Sequence, residues 1–210
     1  MIQFPGTNCE LDVVDTIQGL GGTAQLVWHR ETDLSGYDAV VLPGGFAHGD
    51  YLRTGAIARF SPVMTEVSRM AGEGRPVLGI CNGFQILCEA GLLPGAFIAN
   101  RDLAFICRFV EVEVASTATV LTKAADLGQR LRIPLNSYEG NWVDPTGSGQ
   151  IVLRYVGDPN GSQDGAAAVA NDAGNVVGVM PHPERASDEL LGSGDGRILL
   201  EGFLRSPALV

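Results

Sequence analysis

The chain has 210 residues, a formal net charge of −10, 45% hydrophobic residues and 28 glycines. That length suits one domain with its own core, and the acidic balance excludes a surface built to grip nucleic acid or an anionic membrane. No apolar run reaches ~18 residues, the start lacks a signal peptide's basic and apolar stretches, and Cys9, Cys81, Cys88 and Cys107 show neither CxxC nor metal-ligand spacing. No metal site and a reduced, cytoplasmic setting are expected.

In chain order, Ile2–Phe4 reads as a short apolar strand. Strands average about 5–6 residues, so the natural start is expected a few codons upstream, and the intact mass of the native protein tests this. A helix is expected from about Cys9 to Leu20, capped by Thr7 or Asn8 and stopped by Gly21-Gly22. Ala24–Trp28 and Ala39–Leu42 read as strands, and Pro43-Gly44-Gly45 stops the second. Ser61-Pro62 opens a helix running to about Gly72. Val77–Ile80 is a continuous apolar strand, followed by a helical pattern over Asn82–Ala90 that Gly91 closes. Buried strands separated by helices predict a parallel sheet covered on both faces.

In the second half, Ile106–Val114 alternates Glu111 and Glu113 with Val112 and Val114. Ile133–Leu135, Ile151–Val156, Ala166–Ala170 and Val176–Met180 are further strand candidates, and a last helix spans about Asp195 to Leu204. The turns Asp158-Pro159-Asn160-Gly161 and Asn171-Asp172-Ala173-Gly174 suit antiparallel connections. One α/β domain over residues 1–210 is expected, with an antiparallel portion late in the chain.

The strongest chemical signal is Val77-Leu78-Gly79-Ile80-Cys81-Asn82-Gly83-Phe84-Gln85, an apolar strand entering Gly-x-Cys-x-Gly and then a helix. This is a nucleophile elbow with sulfur as nucleophile. The turn puts Cys81 at a helix N-terminus, where the dipole favours thiolate and the Asn82 N–H can donate to an oxyanion. His182 and Glu184, in Met180-Pro181-His182-Pro183-Glu184, follow another apolar strand. Residues i and i+2 of an extended chain share a face, so Glu184 can orient His182 as base. The Gly-rich loop from Pro43 to Arg53 leaves a strand end, where α/β sheets place ligands. It lacks a Gly-Lys-Ser/Thr ending, and Gly44 or Gly45 is the candidate second oxyanion donor. His29 is expected to serve at a strand end.

Gly79–Gln85 together with Pro181–Glu184 resembles the class I glutamine amidotransferases. Phe4–Cys9, Pro43–Ala58, Cys81–Leu87, Gly91–Gly95, Asn100–Leu103, Pro181–Arg185 and Asp188–Gly192 narrow the resemblance to the glutaminase subunits of phosphoribosylformylglycinamidine synthase. The resemblance implies a flavodoxin-like, open and mostly parallel sheet with helices on both faces. It implies catalysis by Cys81, His182 and Glu184, an oxyanion hole at Gly44, Gly45 and Asn82, and glutamine contact at Gln85. It also implies no cofactor in this chain, with ATP and Mg on a large synthetase subunit, and a small accessory subunit beside them. The family's His-Gly-Glu-Gly segment is Ser137-Tyr138-Glu139-Gly140 here, which makes Ser137 and Tyr138 the altered candidates for substrate binding. The elbow alone also fits another class I amidotransferase, a cysteine hydrolase of the dienelactone-hydrolase or protease-like type, or a noncatalytic α/β domain with a reactive cysteine. His-Pro-Glu and Gln85 favour the amidotransferase.

Overall fold

The computed structural model describes residues 1–206. Its elements in chain order are β1 (Ile2–Gln3), α1 (Glu10–Gly19), β2 (Val27–Trp28), β3 (Val40–Leu42), α2 (Val63–Gly72), β4 (Val77–Ile80) and α3 (Asn82–Glu89). Then come β5 (Ala96–Ile98), β6 (Ile106–Val114), β7 (Arg130–Ser137), β8 (Asn141–Val143), β9 (Gln150–Tyr155), β10 (Ala166–Ala170), β11 (Val176–Val179) and α4 (Gly196–Leu204).

Seven strands form one mixed sheet in the order β3-β4-β11-β10-β9-β6-β7. The β3–β4 and β4–β11 joins are parallel, and the joins outward from β11 to β7 are antiparallel. β1 and β2 form a small parallel pair, and β5 and β8 an antiparallel one. Every residue of β3, β4, β10 and β11 is buried. That explains their unbroken apolar sequences, because a strand covered on both faces has no polar side. Helix α2 buries Val63, Met64, Val67 and Met70, a stripe at helical spacing.

The sheet curls enough for its edge strand β7 to return toward the residues after β11: the His182 N–H donates to the Pro134 carbonyl at 2.8 Å. Pro134 lies mid-strand, a position an edge strand tolerates because it lacks only a ladder donor. Edge position also explains why β7 exceeds the expected Ile133–Leu135. Its Arg130 and Arg132 are exposed and read as loop, yet Arg130 pairs with Glu113 of β6 at 3.3 Å.

The cap of α1 differs from expectation. Cys9 holds the cap position without a side-chain cap bond. Thr7 and Asn8 are engaged elsewhere: Thr7 Oγ1 accepts from the Phe4 N–H, and Asn8 Oδ1 faces the Cys9 thiol at 3.1 Å. Ser61 likewise does not cap α2; its hydroxyl bonds His29 Nδ1 at 3.0 Å and fixes that histidine, buried, just past β2. The three-residue strands β5 and β8 were not legible, because their pairing of Phe97 with Trp142 is long-range and neither alternates clearly.

Candidate active site

The elbow's glycines are explained by distance. A Cβ on Gly83 would stand 1.9 Å from the Leu42 carbonyl oxygen, and one on Gly79 would stand 2.6 Å from the Gly83 oxygen. Only bare backbone lets α3 start this close to β3 and β4. The turn leaves Cys81 at φ 50°, ψ −105°. A non-glycine residue held there costs on the order of 1–3 kcal/mol, and its neighbours must enforce it. The Cys81 N–H donates to the Val179 carbonyl at 2.8 Å, and the Cys81 carbonyl accepts from Gln85 N–H at 3.2 Å. The thiol faces the Asn136 carbonyl at 3.5 Å.

β11 lies beside β4 in parallel register, with Val179 opposite Ile80, so His182 emerges next to Cys81. His182 is extended (φ −101°, ψ 90°), as a residue before proline should be. Glu184 reaches it by another route than the expected extended i, i+2 pair. Pro183–Ala186 is a 3-10 turn, which folds the carboxylate back to place Oε1 2.6 Å from His182 Nδ1. The turn is held by Thr16 Oγ1 and Ser187 Oγ, which donate to the Glu184 carbonyl at 3.2 and 2.9 Å. His182 and Glu184 are both buried, at 2% and 1% exposure. Burial opposes charging of His182, but the Glu184 carboxylate and the Cys81 sulfur outweigh it and push its pKa well above the usual imidazole range. The cluster therefore favours the charged, imidazolium form of His182. Among the described residues, His182 Nε2 has no hydrogen-bond partner.

Gly44 follows β3, the other neighbour of β4. A Cβ there would lie 2.7 Å from His182 Cε1 and 3.5 Å from Cys81 Cβ, so a side chain would displace the imidazole. The Gly44 carbonyl accepts from the Asn8 and Cys9 N–H groups. The Thr7–Gly45 bridge is carried by Asn8 N–H and Phe46 N–H, which leaves the Gly45 N–H outside that ladder. Asn82 anchors this loop: its Oδ1 accepts from Ala47 N–H at 3.0 Å, and its Nδ2 donates to Asp50 at 3.2 Å and to Gln85 Oε1 at 2.9 Å. Its own backbone N–H, in the first turn of α3, has no partner within the helix.

Gln85, Ser137 and Tyr138 all line the same cavity of about 340 Å³ with Cys81 and His182. Gln85 is engaged at both ends, since its Nε2 donates to the Glu139 carbonyl at 2.6 Å. It ties the elbow to the segment after β7. Ser137 is buried with its hydroxyl unpartnered among the described residues, and Tyr138 is 45% exposed at the mouth. A larger groove of about 770 Å³, lined by Asp12, Leu190 and Glu184 among others, holds neither Cys81 nor His182, so size alone does not locate the chemistry.

Five further cavity residues were given no role from sequence. Asp50 is pushed up to about 6 by burial, against the Asn82 hydrogen bond and with help from the Glu139 charge. Asn136 and Glu139 come from the β7 end, and Thr54 Oγ1 donates to Glu139 Oε2 at 2.9 Å. Cys9 is 3% exposed and stands beside His182. Only the tertiary curl of the sheet brings these groups together, and no local spacing signals it.

Residues 1–194 match the CobB/CobQ-like glutamine amidotransferase domain. The chain is 50% identical to the phosphoribosylformylglycinamidine synthase subunit PurQ of Rubrobacter xylanophilus, covering 97% of this chain and 96% of that protein. It is 49% identical to the same subunit of Chlorobaculum parvum, covering 97% and 87%. The solved structure of PurLQS from Thermotoga maritima superposes with a TM-score of 0.93 at 41% identity, over 97% of this chain and 95% of that one. An elbow cysteine, a glutamate-held histidine and these relatives together place the chain: it belongs to the CobB/CobQ-like glutamine amidotransferase family, in the branch of the PurQ subunits.

Proposed function

We propose that this chain is the glutaminase subunit of a phosphoribosylformylglycinamidine synthase, acting in purine biosynthesis. The observation that carries the reading is the convergence of Cys81, His182–Glu184 and the Gly44-Gly45 loop at the carboxyl ends of three adjacent strands. Glutamine occupies the cavity with its carboxamide at Cys81. The thiolate attacks the carboxamide carbon, and the oxyanion meets the N–H of Asn82 with that of Gly44 or Gly45. His182 Nε2 gives its proton to the departing ammonia, leaving a glutamyl thioester. The same nitrogen then takes a proton from water, hydroxide adds to the thioester, and glutamate leaves as the thiolate re-forms. Glu184 holds the imidazole through Nδ1 throughout.

Gln85, Ser137 and Tyr138 shape the wall that meets the rest of glutamine. Ammonia passes to a large synthetase subunit, which carries the ATP and Mg chemistry, with a small accessory subunit in the assembly; this chain itself takes no cofactor. Phe46, Phe105 and Tyr138 line the cavity and are exposed, and Tyr51 and Leu52 beside them are 74% and 87% exposed. An apolar rim of this kind marks an interaction surface, and we place the synthetase there. The four free thiols suit a cytoplasmic setting, and no helix among the described residues is long and apolar enough to cross a membrane.

The test is glutamate formation from glutamine with and without the synthetase subunit. Slow turnover alone, fast turnover in the complex and none in Cys81→Ala are expected. No glutamate even with the partner, or full activity in Cys81→Ala, overturns the reading.

A further inference from the structure

The loop that follows β3 holds a backbone its own residues do not favour. His48, Asp50 and Leu52 stand at φ 55°, 52° and 71°, with Gly49 at 70° among them. Left-handed backbone at three non-glycine residues in five persists only where surrounding contacts enforce it. The segment after β1 supplies some of them. The Gly6 carbonyl accepts from the Phe46 N–H at 2.9 Å, and the Pro5 carbonyl from the His48 N–H at 2.6 Å. On the elbow side stands Asn82, 2% exposed. Its oxygen takes the Ala47 N–H, and its nitrogen gives one bond to Asp50 and one to Gln85. An N–H on one side and two side-chain oxygens on the other fix which end of the amide is which. Gln85 cannot be turned round either, because its nitrogen serves the Glu139 carbonyl. A leucine at this position would leave the buried Ala47 N–H unpaired, and an aspartate would set a carboxylate against two oxygens. Asn82 therefore touches the oxyanion hole twice. Its N–H is one donor, and its side chain grips the loop that carries the other, at Ala47, two residues past Gly45.

We propose that the Asn82 side chain is a positioning residue for the oxyanion hole, with Asp50 as its partner on the loop: together they fix the Gly44–Gly45 donor relative to the Asn82 N–H. This role rests on the glutaminase function proposed above; the hydrogen-bonded pair itself does not.

Glutamine turnover by the complex is measured for three variants beside wild type. Asn82→Asp keeps the backbone N–H and an acceptor for Ala47, but loses both donated bonds. Its kcat is expected to fall about 10²-fold, as when one oxyanion donor is misplaced, with KM within about threefold. Adding Asp50→Asn puts an amide N–H opposite the new carboxylate, and the double variant is expected to regain about tenfold in kcat. Asp50→Ala, which removes the acceptor alone, is expected to lower kcat about tenfold. In the double variant, which carries the wild type's net charge, alkylation of Cys81 by iodoacetamide stays within about twofold of wild type. That reaction forms no oxyanion, so a damaged nucleophile or base shows separately. The pairing is also read without turnover, because the double variant should unfold at a higher urea concentration than Asn82→Asp. Wild-type kcat in Asn82→Asp or Asp50→Ala, a change confined to KM, no gain from the second substitution, or alkylation of the double variant that falls in step with kcat overturns the proposal. Loss of the glutaminase reading instead shows as glutamine turnover that survives Cys81→Ala, whatever these variants do.

Discussion

Strands β3, β4 and β11 run parallel and end together, and Gly44, Cys81 and His182 follow those ends within three residues. Strands β10, β9, β6 and β7 run antiparallel, and of these β7 sends Asn136 and Ser137 to the cavity. Parallel strands present all their carboxyl ends at one edge, so neighbouring loops converge without further design. Antiparallel neighbours point their ends in opposite directions, and a strand from that region reaches the site only because the sheet curls. The parallel part therefore positions the groups proposed to react, and the antiparallel part contributes a wall. Substitutions in the first should act on kcat, and in the second on KM.

The largest expected effects lie at the parallel ends. Cys81→Ala should lower kcat roughly 10⁶-fold, and Glu184→Gln about 10⁴-fold, because His182 loses its orientation but remains present. Assays of the complex with limiting and saturating glutamine check both; a Glu184→Gln enzyme with unchanged kcat would break the assignment. Next comes Gly44→Ala, whose methyl must displace His182 by part of an ångström. A misplacement of that size costs about 10²-fold in kcat with little change in KM. If KM alone moves, the base is not where the account puts it.

From the antiparallel side, Ser137→Ala should shift KM a few-fold, with kcat within about twofold, since one uncharged hydrogen bond contributes ~1 kcal/mol. A large fall in kcat would erase the division between the two regions. The smallest effect concerns Asp50, on the loop after β3. Burial raises its pKa from 3.8 to about 6, so the folded state holds this proton more tightly than the unfolded chain does. Its contribution to stability is complete below about pH 3.8 and is lost as pH rises through about 6. Asp50→Asn avoids that loss and keeps an acceptor for Asn82. Its melting temperature should match wild type near pH 4 and exceed it by a small margin at pH 8. An equal offset at both pH values would show that the carboxyl is not the cause.

The same division governs how much the sequence revealed. The elbow was readable because Gly79, Cys81 and Gly83 encode a local constraint within one strand–turn–helix unit. Val176–Val179 was readable because a strand buried on both faces is uniformly apolar. The match of Glu184 to His182 was readable as a pair, although a 3-10 turn makes the contact. By contrast β7 hid behind exposed arginines, and β5 and β8 exist only through each other. Cys9 was read as part of the start of α1. Its approach to His182 depends on the Gly44 carbonyl binding the Cys9 N–H, a tertiary contact that spacing along the chain does not encode.

Labelling by a glutamine analogue tests the central claim most directly. The complex is treated with 6-diazo-5-oxo-L-norleucine, which alkylates a thiol that attacks a bound glutamine carbonyl position, and its cysteine peptides are mapped by mass. The account predicts a single adduct on Cys81, absent in Cys81→Ala and suppressed by excess glutamine. An adduct on Cys9, or none on Cys81, would contradict it.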